Sequence, residues 1–324
     1  MGKKIDSIKG KKGHYNRVAK ATLFCDNVQL QKKYHRYIIG LSAILGSCIV
    51  GIIIITIGRY HDDKMLINMQ ESLKESVASN QVQFSSEPYA MPTAGVATVL
   101  QNILDSEIEH VTQEQEKAEI LTKYRPLHEQ NSDIIGWLTI KDTVIDYPVM
   151  QTMEDEDYYL NYDFNKVENR NGSLIMDTDS IVGTGTSACQ YRDGTKPSTN
   201  LIIHGHTMKS GLMFGNLIQY ADENYGKTHS IICFDSLYEE RKYELIAVFY
   251  SQVYMNTDDV FKYYKFFQAD SREEFDDWYN NIQTMSLYDT GVTAEYGDEF
   301  ITMSSCAYHV EDGRFVVVGK RIIN

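Results

Sequence analysis

Residues Tyr37–Ile57, YIIGLSAILGSCIVGIIIITI, run for 21 positions without a charge. As a helix such a run is long enough to cross the roughly 30 Å apolar core of a bilayer. Every face of it is apolar, which distinguishes it from an amphipathic helix lying on a soluble core. Lys32, Lys33 and Arg36 precede it, and a mixed set, Arg59, Asp62 and Asp63, follows. The positive-inside rule therefore predicts a cytoplasmic N-terminus, a single pass through the lipid bilayer at 37–57, and residues 60–324 outside. A cleaved signal peptide would have a shorter apolar stretch and a small-x-small cleavage site. Ile52–Ile57 followed by Gly58-Arg59-Tyr60 offers none, so the expectation is an uncleaved signal anchor.

Charge is distributed around this anchor. The whole chain of 324 residues carries −14, but residues 1–36 hold ten Lys/Arg against Asp6 and Asp26. That head is +8, which leaves −22 for residues 37–324. The acidic remainder argues against a nucleic-acid surface, and the basic head is explained by the anchor it precedes. Of five cysteines, Cys25 would lie inside, Cys48 in the membrane, and Cys189, Cys233 and Cys306 outside. Three outside cysteines form at most one disulfide, so at least one external thiol stays free. No Cys/His spacing suggests zinc, and no cofactor is expected.

The pattern after the membrane divides the chain. Residues 58–95 read as an extracellular stalk and linker, weakly helical over Asp62–Ser79 and with two of the five prolines in Asn80–Gly95. From Val96 apolar residues fall at helical spacing and continue to about 125, where Pro126 ends the pattern. From Asp133 the period becomes that of strands: Trp137–Ile140, Val144–Met150, Ser173–Met176, Leu201–His204, Ser230–Phe234, Tyr243–Tyr250, Phe300–Ser305 and Arg314–Arg321. Short helices are expected near Met213–Tyr220 and over Arg272–Thr284. Eight strands with few helices predict a mainly β, closed or nearly closed barrel over 133–324, with a helix at 96–125 and a helical insertion. Thr178–Thr199, rich in Gly, Ser and Thr, reads as a long surface loop. Glu154-Asp155-Glu156-Asp157 has oxygen ligands suited to Ca²⁺, but contiguous side chains point apart, and a solvated loop is expected there.

The last 27 residues hold the chemistry. Cys306 ends the strand that begins at Phe300, and Arg314 opens the strand after the next turn. Opposite positions of an antiparallel hairpin come within side-chain reach. A thiolate needs a group to move its proton, and an arginine's fixed donors suit an oxyanion. Histidine is the usual proton shuttle. His61 and His110 sit at the membrane edge and in the helix before the barrel, and His309 in the hairpin turn. His206 lies just past a strand end in a glycine-punctuated loop. His204, two residues earlier, would point to the same side if the strand continued. Pattern alone leaves these two open.

The combination resembles the sortases, membrane-anchored cysteine transpeptidases of Gram-positive bacteria. Thr302-Met303-Ser304-Ser305-Cys306, then Arg314, is similar to the family's T-L-x-T-C with arginine on the next strand. Asn200–Leu217, NLIIHGHTMKSGLMFGNL, resembles the histidine motif of the class B branch, as do Asn131–Trp137, Ile145–Val149 and the insertion Ser251–Asp298. The resemblance covers about residues 95–324. It implies a sortase catalytic domain over 96–324, built on an eight-stranded sortase-type barrel. It implies Cys306 as nucleophile on a threonine carbonyl of a sorting signal, His206 as general acid and base, and Arg314 as stabiliser of the substrate carbonyl and oxyanion. Asn200, Thr302, Ser304 and Ser305, within the two motifs, are expected to contact substrate. The implied partners are secreted proteins bearing a C-terminal sorting signal, and an amine of a cell-wall precursor or a pilin lysine.

Four departures accompany the match: Met303 for leucine, Ser305 for threonine, Thr207 for the asparagine after the histidine, and the length of the 178–199 loop. A papain-like peptidase would place its cysteine early, on a helix, with histidine after it. Here the order is reversed. A catalytically silent binding domain on the same barrel would not need an intact Cys306, His206 and Arg314.

Overall fold

Strand-period alternation in eight segments becomes eight strands in the computed structural model, which describes residues 3–82, 119–184 and 196–323, with side chains from residue 30. Helix α1 (Lys3–Val82) comes first. The chain divides into two compact units at His61/Asp62. In the first, the most apolar 18-residue window of the helix has mean hydropathy 2.7 and no buried residue, so by length and composition it can cross a membrane.

The second unit is a closed barrel. Its strands are β1 (Ile134–Ile140), β2 (Asp146–Met150), β3 (Leu174–Met176), β4 (Asn200–Gly205), β5 (Ile231–Ser236), β6 (Glu240–Gln252), β7 (Phe300–Cys306) and β8 (Gly313–Arg321). They close in the order β1-β2-β3-β4-β7-β8-β6-β5. All eight expected strands are present, with ends shifted by a few residues. Among the described strands, closure leaves no free edge to pair with another chain. Most neighbours are antiparallel, but β2–β3 and β4–β7 are parallel. The β4–β7 pair joins residues 100 apart in sequence, Asn200 opposite Phe300 through Gly205 opposite Ser305.

Two apolar layers form on opposite sides of the β4–β7–β8 wall because strand side chains alternate. Leu201 and Ile203, Ile301 and Met303, Phe315 and Val317 point into the barrel core. Phe300, Val316 and Val318 point outward and meet a second cluster supplied by the insertion between β6 and β7. There the helix α4 (Arg272–Met285) buries Phe275, Trp278 and Ile282. Ser271 caps it by accepting from the Glu274 N–H at 3.2 Å, a preferred helix start. Trp278 stacks on Phe266 at 4.4 Å and meets Phe300 edge-on at 4.7 Å. The large aromatic area buried here fixes the insertion against the wall.

Three expectations change. The helix anticipated over 96–125 lies largely outside the described residues, and 119–124 are not helical. The helix in this region is α2 (Arg125–Gln130), with Pro126 at its N-terminus, where the missing N–H costs nothing. The stretch 58–95 is not wholly a stalk, because residues 62–82 belong to the barrel unit. Leu66 and Leu73 of α1 are 1% and 5% exposed, Gln70 donates to the Asp146 carbonyl at 2.7 Å, and Lys74 pairs with Asp146 at 2.7 Å. The helix expected near Met213–Tyr220 begins later. Met213 has φ 53, a 3-10 turn covers Leu217–Ala221, and α3 (Glu223–Thr228) starts behind the capping side chain of Asp222. Cys189 and the middle of the 178–199 loop lie outside the described residues. The loop's two ends are tied together by Ser198 N–H to the Ile181 carbonyl at 2.8 Å, and the Arg241 guanidinium holds the Val182 carbonyl at 2.8 Å.

Candidate active site

The outward face of the wall carries a second set of side chains at even positions. Asn200, Ile202 and His204 on β4 lie beside Phe300, Thr302 and Ser304 on β7, and Val318, Val316 and Arg314 on β8 follow in register, with Arg314 opposite Cys306. The insertion covers the lower part of this face. The upper part stays open as a cleft of about 350 Å³ lined by His204, His206, Ser304, Cys306 and Arg314, with Leu160, Asp177, Glu156 and Asp157 on the facing side. Sequence alternation thus selects the face, and the insertion's reach decides which part of it is open.

Gly205 explains how two histidines come to share that face. It points inward between them, and a Cβ there would sit 2.6 Å from both Leu174 and Phe214. Only glycine lets β4 run this close over the core at the point where the cleft begins. Beyond it, Thr207 donates to the Cys306 carbonyl at 2.5 Å and bridges to Met213, which ties the histidine loop to the cysteine strand end. On the other side, the Ala307 N–H donates to the Gly313 carbonyl at 2.9 Å, and a Cβ on Gly313 would lie 2.2 Å from the Ala307 carbonyl oxygen. The hairpin is thereby closed tightly just where Cys306 and Arg314 face each other.

Hydrogen bonds orient the polar groups. His206 donates from Nε2 to the Leu160 carbonyl at 2.8 Å, because a carbonyl can only accept. Its Nδ1 is then the nitrogen left for proton transfer. Arg314 donates from Nη1 to the Asp312 and Gly313 carbonyls at 3.2 and 3.1 Å, which leaves further guanidinium N–H groups for a ligand. Ser304 shares a 2.7 Å hydrogen bond with Tyr263 of the insertion. Burial pushes the Tyr263 phenol up to about 12 against the opposing pull of that bond, so it is a neutral hydroxyl at ordinary pH.

The structure brings Cys306, His206 and Arg314 into one cleft, both ends of the site being half-buried. The expected substrate contacts divide. Asn200 and Thr302 are corrected: they are 0% and 1% exposed beneath the insertion, Thr302 donates to Asn200 Oδ1 at 2.8 Å, and Asn200 donates to the Phe266 carbonyl at 2.9 Å. They hold the insertion to the wall and do not reach the cleft. Ser304 borders the cleft with its hydroxyl engaged by Tyr263. Ser305 borders it too, at the inward-pointing parity of its strand, and is 3% exposed.

Sequence reasoning missed the far wall. Glu156 and Asp157, read only as a solvated run, are exposed and also border the cleft. Asp177 accepts from His204 Nε2 at 3.0 Å, so His204 is a cleft residue as well. The signal for His204 was its two-residue offset from His206. For Asp177 there was none beyond its place at the end of β3, since the pairing depends on β3 lying beside β4.

Comparison with known proteins agrees with this architecture. Over 207 residues the chain is 32% identical to a sortase B of Listeria monocytogenes, covering 63% of this chain and 76% of that protein. It is 28% identical to a sortase B of Staphylococcus aureus over 206 residues, covering 62% and 75% of the two chains. The crystal structure of sortase B from Bacillus anthracis in complex with AAEK1 matches it with a TM-score of 0.53 at 32% identity, over 64% of this chain and 88% of that one. No family model matches the chain.

Proposed function

The chain belongs to the sortase B family of cysteine transpeptidases, and from that premise we propose that it cleaves a C-terminal sorting signal after threonine and transfers the upstream protein to an amine of a cell-wall precursor. The observation that carries this reading is the open cleft in which Cys306, His206 and Arg314 meet. In the proposed reaction the Cys306 sulfur attacks the threonine carbonyl carbon. Charge develops on the carbonyl oxygen, where the free N–H groups of Arg314 stabilise it. His206 gives a proton to the leaving amine as the C–N bond breaks, and a thioester remains. An incoming amine then attacks that thioester, its N–H proton passes back to His206, the C–S bond breaks, and Cys306 leaves as thiolate. The cleft walls favour transfer over hydrolysis to the extent that they exclude water.

The apolar helix would hold the catalytic unit at the outer membrane surface, with the basic head in the cytoplasm. There, emerging secreted chains and displayed wall precursors are both within reach. The test uses the full chain in detergent, a panel of quenched sorting-signal peptides and a primary amine, with products followed by mass spectrometry. Cleavage between threonine and its successor, with transfer that vanishes in Cys306→Ala, is expected. Full activity in Cys306→Ala would overturn the assignment.

A further inference from the structure

We propose that the pair His204–Asp177 forms a subsite that receives the acceptor as a primary ammonium ion and removes its proton. This rests on the transpeptidase reading above and deepens it. Transfer asks for opposite proton movements: one to the leaving amine, and others from the arriving one. The cleft contains two histidines on the same strand face, each with one nitrogen tied, but to different partners. His206 is tied to a neutral carbonyl, and His204 to a carboxylate.

That difference assigns the roles. Asp177 accepts from His204 Nε2 at 3.0 Å, so in the neutral ring the hydrogen sits there and Nδ1 carries the lone pair. A carboxylate in this position orients an imidazole and balances its charge when it takes up a proton. Among the described residues the ring has no other hydrogen-bond partner. The His204 side chain is 34% exposed and borders the cleft, so the ring can be reached from it.

The charges around the pair suit a cation. Glu156 and Asp157 line the same cleft from the connection between β2 and β3, and Thr178 donates to Glu156 at 3.3 Å. The positive groups are Arg314 on β8, at the cysteine end, and Lys265 of the insertion, whose charge acts on Asp177. An oxyanion belongs at the Arg314 end of the cleft and an ammonium at the acidic end.

The step balances as follows. The ammonium gives one proton to His204 Nδ1, which frees its lone pair. The amine nitrogen bonds to the thioester carbonyl carbon. A second N–H proton passes to His206, the C–S bond breaks, and Cys306 leaves as thiolate. His204 then returns its proton to water.

The experiment uses the full chain in detergent with a sorting-signal peptide that acylates Cys306, and two acceptors. Nα-acetyl-lysine amide is an ammonium at neutral pH. Hydroxylamine is largely neutral there and needs neither an acidic subsite nor a base. In His204→Gln and Asp177→Asn, transfer to the lysine acceptor is expected to fall at least ~10-fold more than transfer to hydroxylamine, consistent with loss of a general base. Thioester formation, followed by intact mass, should persist in both variants. Equal losses for the two acceptors would overturn the subsite, as would a wild-type enzyme that acylates but transfers only to hydroxylamine. A wild-type enzyme that never acylates Cys306 would instead overturn the transpeptidase reading itself.

Discussion

The Thr207 hydroxyl donates a 2.5 Å hydrogen bond to the backbone carbonyl of Cys306, 99 residues further along the chain. Through it the loop carrying one reactive group is fastened to the strand end carrying the other. The asparagine of the family motif is replaced here by a shorter polar side chain, and the hydroxyl still spans the gap. Thr207→Val keeps the shape and loses the donor. It is expected to cost about 0.5–1.5 kcal/mol of stability. It should also lower kcat/KM roughly tenfold through misplacement of His206, since positional errors are expensive in catalysis. Thr207→Ser should restore both in peptide-cleavage and thermal-melt assays.

Arg314 is held at the cleft by two backbone carbonyls and keeps other guanidinium N–H groups free. Lysine retains the charge but not the planar fork. Arg314→Lys is therefore expected to lose about 10²–10³ in kcat for peptide cleavage, the usual scale for one oxyanion donor. Unchanged kcat in single-turnover acylation would remove Arg314 from that role.

Tyr263 and Ser304 form a buried hydroxyl pair joining the insertion to the cysteine strand at 2.7 Å. In Tyr263→Phe the Ser304 hydroxyl, on a residue 1% exposed, loses its partner. The expected loss is about 1–3 kcal/mol in urea unfolding. The double variant Tyr263→Phe/Ser304→Ala removes both polar ends and should recover most of that loss.

Asp177 supplies a pH dependence. Burial opposes its charged form, but the hydrogen bond from His204, the Asp179 N–H and the charges of His204 and Lys265 outweigh it and hold the carboxyl below its ordinary range. The unfolded chain thus binds this proton more readily than the folded one. The resulting stabilisation is complete above about pH 4, the ordinary aspartate value, and is lost as pH falls below it through the folded value. The stability difference between wild type and Asp177→Asn, measured by melting at successive pH values, should narrow on that acid limb.

The end of α1 is part of the barrel unit, so trimming it has a cost. A fragment starting at Asp62 keeps Leu66 and Leu73 buried and keeps the Arg170–Asp62 pair at 3.0 Å. A fragment starting at 83 exposes the surface they cover. At about 1.5–3 kcal/mol for each leucine, it should unfold at a clearly lower urea concentration. Coincident unfolding curves for the two fragments would mean that the helix is a passive stalk.

Much of this molecule is legible without coordinates because its signals are local. The uncharged run at 37–57, the period-two alternation of eight strands and the turn residues between them each depend on near neighbours in sequence. So does the expectation that Cys306 and Arg314 face each other, since a hairpin turn pairs positions close along the chain; the ladder does place them opposite one another. The two histidines share a face for the same reason. What the sequence could not determine is which strands lie side by side and what covers them. The parallel pairing of β4 with β7 brings His206 to Cys306. The proximity of β3 gives His204 its carboxylate. The insertion buries Asn200 and Thr302 while leaving Ser304 and Cys306 at the cleft's edge, although all four share one strand-face parity. Those outcomes are set by packing between segments tens of residues apart: the insertion's aromatics bury their area against one end of the wall and stop short of the other. The boundary between support and site is therefore a tertiary fact, drawn across a face that alternation alone presents as continuous.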